Sequence, residues 1–390
     1  MATNKNYRIR VILLLITFIG VFPLDVLLPS FPSLAGHFSK STDDISLSLS
    51  IFIICFSLAQ LFIGPLSDLL GRKRLIITGL CLATTGAIGA VFTTDFNSFL
   101  TFRALQAFGC GSFVLVNAII QDTFTLSERH KVRIFMTTAG GIFISTAPAL
   151  GSALQFLANW RGSFIFFIIT NLSVTLLTLW WLPKDSVHSR PSTRPRGYPQ
   201  ITAIMSRDFI LNSVLSAIGF SCHFAFIAQS PIIFLEELSL PPTTYSLILL
   251  FYGIAYLTGG FVARSISSVI SRRLQITTGL FTMLCAGAAL YLSSLLATKS
   301  VINIMVPMII CTCGVTILRS AATTAAMDSS PSRPGAASSL HNTIIFAFGA
   351  ITSALVNFSS TAPILSLSAA LLVLPLIGIL VTTLNSQVRE

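Results

Sequence analysis

Three ionisable residues stand deep inside long apolar runs of this sequence: Asp25, Arg103 and Arg319. A charge at the centre of a bilayer costs about 2.5–3.5 kcal/mol on insertion scales, so a side chain retained there is a candidate for function. A carboxyl in that setting can take up and release a proton. Burial and a neighbouring cation pull a carboxyl's proton affinity in opposite directions, so a change in their separation would load or unload it. A guanidinium can grip a carboxylate or another anion through two parallel N–H donors. Asp25 and Arg103 are therefore read as proton-coupling residues and as candidate substrate contacts. The structural alternatives are a static Asp25–Arg103 pair, or an Asp25 lifted to the outer interface. Arg319 is read as an anion-binding group or as a partner for a carbonyl or for Asp25. Gln106, Asn117, Gln121, His223, Gln229 and Asn342 are lesser candidates within the apolar runs. Each could line a cavity, although bonding to a neighbouring helix is the commoner fate of such side chains.

The elements that position these groups are long apolar helices. A span needs about 20 apolar residues, and twelve stretches qualify: 11–34, 45–66, 75–93, 97–121, 132–157, 163–182, 208–234, 243–263, 274–296, 300–325, 336–359 and 362–384. Asp25 lies 14 residues beyond Val11, about 21 Å along a helix, and Arg103 lies 19 residues before Asp122, about 28 Å from that inner end. Both fall in the outer half of the first six spans. Arg319, nine residues before Asp328, lies about 14 Å from the inner boundary, near the midplane.

Charge sorts the connections. Of the 24 Lys and Arg, 19 lie at the termini and in alternate connections, and three (Lys40, Arg161, Lys299) in the opposite loops. Basic residues accumulate on the cytoplasmic side, which places both termini and the 184–207 linker there. Trp160 falls at an expected outer boundary and Trp180–Trp181 at an inner one, as interfacial aromatics should. The linker, "PKDSVHSRPSTRPRGYPQ" over 183–200, is rich in Pro, Ser and Arg and divides the spans six and six. Two equal halves, 1–183 and 208–390, suggest two bundles around a central path.

Hydrophobic residues make up 53% of the 390 and charged residues 9%, too little charge for the surface of a soluble chain this long. The net charge of +11 would suit nucleic acid, but the bases sit in short clusters between apolar runs, so lipid is the expected partner. The seven Cys lie inside apolar segments and imply no disulfide framework, and no Cys/His group has zinc spacing. The first run reads as a retained span rather than a removed signal. No G-x-x-x-x-G-K-[ST] loop, G-x-S-x-G or H-E-x-x-H is present, which argues against ATP-driven or hydrolytic chemistry.

The stretch "GPLSDLLGRKR" (64–74) packs an acid and three bases between two spans. It resembles the signature loop of the major facilitator superfamily, G-x-x-x-D-x-x-G-R-[RK], with Gly64, Asp68, Gly71, Arg72 and Lys73 all matching. The resemblance implies a conformational latch, in which Asp68 faces a helix N-terminus and Arg72 pairs with Asp122. The second half keeps only a vestige, Arg264, Arg272 and Arg273 with no acid. "FPLDVLLPSFP" (22–32) is similar to the first span of the Bcr/CflA-type drug-efflux branch. "FRALQAFGCG" (102–111) resembles the family's span-four motif, with Ala107 replacing a Gly. "APALGSAL" (147–154) resembles a degenerate antiporter motif, "NWRGSFIFF" (159–167) the start of span six, and "AQSPIIF" (228–234) a span-seven segment. Arg319 departs from that branch, which usually has small or amide residues there.

The expectation is an all-α integral membrane protein, twelve transmembrane helices in two six-helix bundles. It implies a proton-coupled secondary transporter in a bacterial inner membrane, most simply an efflux antiporter. The alternative cargo is a polar anionic metabolite, such as a carboxylate siderophore or amino acid derivative, moved either way. A receptor or membrane enzyme is the distant third reading. No cofactor beyond the coupling proton is expected, and the expected partners are a small-molecule substrate and the bilayer, with the chain a monomer.

Overall fold

The computed structural model describes residues 2–183, 205–267, 269–295, 300–329, 334–358 and 362–387, all as helices and short connections. In chain order the helices are α1 (Ala2–Asp25), α2 (Phe31–Phe38), α3 (Thr42–Leu70), α4 (Arg72–Phe92), α5 (Phe96–Cys110), α6 (Leu115–Thr123), α7 (Leu126–Ala158), α8 (Arg161–Trp181), α9 (Arg207–Pro231), α10 (Pro242–Ser267), α11 (Arg272–Leu295), α12 (Val301–Asp328), α13 (Pro334–Phe358) and α14 (Pro363–Gln387). Hydrocarbon offers the backbone no partner, so a chain this apolar satisfies its N–H and C=O groups within helices.

Among the described residues, eleven helices are long and apolar enough to cross a membrane. The stretch 132–157 falls within α7, which is not among those eleven. Two expected spans are interrupted. The first breaks after Asp25, passes through a 3₁₀ turn at Leu28–Ser30 and resumes as α2. Pro29 disfavours helical backbone at Leu28, and Pro32 suits the first turn of the new helix. The span 97–121 is likewise divided by a 3₁₀ turn at Gly111–Val114. After Pro231, α9 widens into a π-helical turn over Ile232–Glu237.

Polar caps mark several helix starts. Asp95 accepts from the Ser98 N–H, Ser206 from Phe209 and Ser300 from Asn303, while Thr125 and Glu128 form a reciprocal capping box. Trp160 departs from expectation: it is buried, edge-on to Phe99 and Phe164, with the Arg161 guanidinium over its ring. Trp180 is exposed, as an interfacial aromatic should be.

The chain groups into two compact units that are not contiguous in sequence. The first comprises Met1–Leu27, Ile51–Ile204 and Arg333–Thr343; the second, Leu28–Ser50, Met205–Ser332 and Ile344–Glu390. In the first unit, α4 meets α5 backbone to backbone: a Cβ on Gly109 would stand 2.3 Å from the Ala83 nitrogen and 2.4 Å from the Gly79 carbonyl. In the second, α11 and α12 repeat the device, a Cβ on Gly314 standing 2.7 Å from the Gly279 carbonyl. Small residues at such crossings let helices approach where burial against lipid gives no drive.

Candidate functional site

In the first unit Asp25 is the last residue of α1 and only 7% exposed. Among the described residues no base lies within ion-pair distance of its carboxylate and no donor hydrogen-bonds it, so the static Asp25–Arg103 pair is not formed here. Arg103, on α5 and 1% exposed, is engaged elsewhere. Its Nη2 donates to the Pro23 carbonyl at 3.3 Å and its Nη1 to Gln106 Oε1 at 2.8 Å. The Pro23 carbonyl is one of the C-terminal acceptors left over where α1 stops. Arg103 thus caps the broken helix. Phe52 lies 4.4 Å and Phe164 5.7 Å from the guanidinium carbon, a cation–π setting. A cavity of about 10 Å³, the space of one water, is bordered by Phe22, Arg103, Gln106 and Ser163. Arg103 Nε and Ser163 Oγ are buried beside it without a described partner.

In the second unit Arg319, half-buried on α12, donates from Nη1 to Tyr256 Oη on α10 at 2.8 Å. Its guanidinium carbon lies 5.2 Å from the Phe220 ring on α9. His223, one turn along α9, shares a 2.8 Å hydrogen bond with Tyr252 Oη through Nδ1. The imidazole stacks on Tyr252 at 5.5 Å and leans on Tyr256 at 5.1 Å. Phe346 of α13 closes edge-on against Phe220 at 5.1 Å.

The other polar candidates divide. Gln229 donates to Asn357 at 2.7 Å, and Asn357 donates to Ser46, so this amide joins helices within the second unit. Asn342 is half-buried in the first unit, beside Ser339 and Thr343, whose hydroxyls hold α3 through Gln60 and Ser57. The side chains of Asn117, Gln121 and Asp68 lie outside the described ones.

The 64–74 stretch occupies the α3–α4 turn. Gly71 has φ 95°, a conformation that favours glycine, and α4 starts at the next residue. Arg72 Nε stands 3.4 Å from Asp122 Oδ2, and the same guanidinium bonds Ser67 Oγ. Lys73 Nζ donates to the Leu179 carbonyl at 2.7 Å and to that of Leu182, satisfying the C-terminal end of α8. Gly64 lies against Ser339, whose Oγ would be 3.4 Å from an added Cβ. In the second unit Arg272 Nη2 meets Asp328 Oδ2 at 2.9 Å.

A family model described as Major Facilitator Superfamily matches residues 13–354. The chain belongs to this superfamily. It is 26% identical over 386 residues to the uncharacterized MFS-type transporter YdgK of Bacillus subtilis, covering 96% of this chain and 94% of that one. The multidrug resistance protein MdtL of Citrobacter koseri is 27% identical over 274 residues, 70% of each chain. The bicyclomycin resistance protein homolog of Haemophilus influenzae is 25% identical over 380 residues, 92% of this chain and 91% of that one. Together with the apolar helices, membership makes the chain a multi-pass membrane transporter and not an enzyme.

Two features of this superfamily member escaped the sequence reading. The vestigial second loop has no acid of its own, but its Arg272 meets Asp328 at the end of α12, the counterpart of Asp122. The Arg272–Asp328 separation of 56 residues nearly repeats the 50 between Arg72 and Asp122, and that repeat was the available signal. Tyr252 and Tyr256, four residues apart on α10, present two phenols on one helix face, a spacing that could have paired them with His223 and Arg319.

Proposed function

We propose that this chain is a proton-coupled efflux antiporter of a small organic molecule in a bacterial inner membrane. Two six-helix halves, 1–183 and 208–390 with the linker 184–207, expose a central site to each side in turn, and both termini are cytoplasmic. The observation that carries the reading is Asp25, a buried carboxyl at the break in α1 with no counter-cation among the described residues. Intramembrane acids of this kind are recurrent proton carriers. Because Arg103 is committed to Pro23 and Gln106, Asp25 can gain and lose its proton without breaking an ion pair. Arg72 and Asp122, with Asp68, serve as the latch that holds one conformation. The names of the MdtL and bicyclomycin-resistance relatives support drug efflux. The coupling ion is a proton, the chain works as a monomer, and no cofactor takes part.

The test is Asp25→Asn in proteoliposomes. Uptake driven by an imposed pH gradient falls at least about tenfold, while substrate exchange without a gradient persists. Gradient-driven transport at the wild-type rate would remove Asp25 from the coupling path. A second reading, an anionic metabolite as cargo, is favoured by Arg319, which has no carboxylate partner among the described residues.

A further inference from the structure

We infer that Arg319 and Tyr256, with His223 in the aromatic wall beside them, form the subsite that holds the carboxylate of a small aromatic acid, and that the cargo is an organic anion of this class. The physiological meaning rests on the transport reading; the binding itself does not. A guanidinium offers five N–H donors. In Arg319 one is engaged, by Tyr256 Oη at 2.8 Å. Its Nε is buried without a described partner, and among the described residues no carboxylate stands within ion-pair distance. A cation at this depth calls for an anion, and the described protein does not supply it.

The surroundings select the kind of anion. Tyr256 Oη accepts from Arg319, which leaves its own phenolic proton to donate. Guanidinium and phenol are thus two adjoining donors, matching the two oxygens of a carboxylate. The walls are aromatic: Phe220 faces the guanidinium, Phe346 is edge-on to the Phe220 ring, and the His223–Tyr252 stack leans on Tyr256. Such faces receive a planar ring. The guanidinium is also held in place beforehand. Its stem crosses Gly219 so closely that an added Cβ would stand 2.9 Å from Arg319 Cγ, and Ser216 bonds Thr323 at 3.0 Å to pin α9 to α12. Preorganised donors lower the ordering cost of binding. A cationic cargo meets like charge here. A lipid headgroup phosphate offers the same oxyanion chemistry, so the experiment must tell the two sources apart.

The experiment is a thermal-shift titration of the purified full chain in micelles and in nanodiscs. The probes are benzoate, salicylate and 2-naphthoate, each beside its neutral amide. Acids raise the melting temperature in a saturable way and amides do not. Arg319→Gln weakens acid binding roughly tenfold or more, the scale of one lost charge-assisted hydrogen bond. Arg319→Lys keeps the charge without the fork and falls between, and Tyr256→Phe gives a smaller loss. If Arg319→Gln does not fold, Arg319→Lys and Tyr256→Phe carry the test. Acids and amides acting alike, or variants binding acids as the wild type does, would overturn the assignment. So would occupancy by phosphatidylglycerol that acids fail to displace, which would give the subsite to lipid. Acid binding in a chain with no gradient-driven flux fails the antiporter reading alone; flux of neutral compounds without acid binding fails this one alone.

Discussion

Arg103 and Arg319 are the same residue type in the same kind of apolar helix, yet their surroundings differ in kind. Arg103 is 1% exposed, donates to the Pro23 carbonyl and to Gln106, and lies against Phe52. Two of its donors are taken up within the fold, one of them by a carbonyl at the C-terminal end of α1. Arg319 is half-buried and has one described hydrogen bond, to a tyrosine that can itself donate. The comparison teaches that an intramembrane charge is not in itself a binding group. What separates the two is how much of the donor capacity the fold already uses.

Stability is the largest lever on that comparison. Arg103→Met removes two hydrogen bonds from a charged donor and should cost about 3 kcal/mol or more of stability, read by denaturant unfolding in detergent. Arg319→Met removes one and should cost about half as much, about 1.5 kcal/mol, by the same measurement. Equal losses would erase the distinction between the two sites. The two Arg–Asp pairs come next. The side chains of Arg72 and Asp122 are 15% and 26% exposed, those of Arg272 and Asp328 48% and 60%. Exposed pairs contribute about 0–1 kcal/mol. Arg272→Gln should therefore leave both stability and transport rate near wild type, while Arg72→Gln slows substrate exchange severalfold. The order reversed would move the latch to the second unit.

The smallest effect belongs to Asp95, an exposed cap at the start of α5. Hydrogen bonds from the Ser98 side chain and backbone N–H hold its carboxyl below the usual carboxylate value of 3.8. Its contribution is thus full above about pH 4 and is lost as the pH falls through the lowered value. Thermal melts between pH 5 and pH 2 should show a slightly shallower acid limb in Asp95→Asn than in the wild type.

Much of this arrangement is legible in the amino-acid sequence. Span lengths follow from apolar runs, and Arg72 and Asp122 were matched through a motif whose partners do meet at 3.4 Å. Residue counting gives height along a helix, and Arg103 does reach the end of α1, at the Pro23 carbonyl. Counting gives no azimuth, and Asp25 and Arg103 do not bond. Arg103's actual acceptor is a backbone carbonyl, which no residue letter announces. The breaks at Leu28–Ser30 and Gly111–Val114 were missed because hydropathy does not register a 3₁₀ turn of apolar residues. Arg319 stood out as a letter, but its tyrosine comes from another helix and depends on how α10 packs against α12.

The glycine crossings have a mechanical corollary. With Gly109 seated on the Gly79 carbonyl, and Gly314 on that of Gly279, neither crossing has clearance for a methyl group. Helices that tight cannot roll or slide past each other, so α4 with α5, and α11 with α12, must travel as rigid planks.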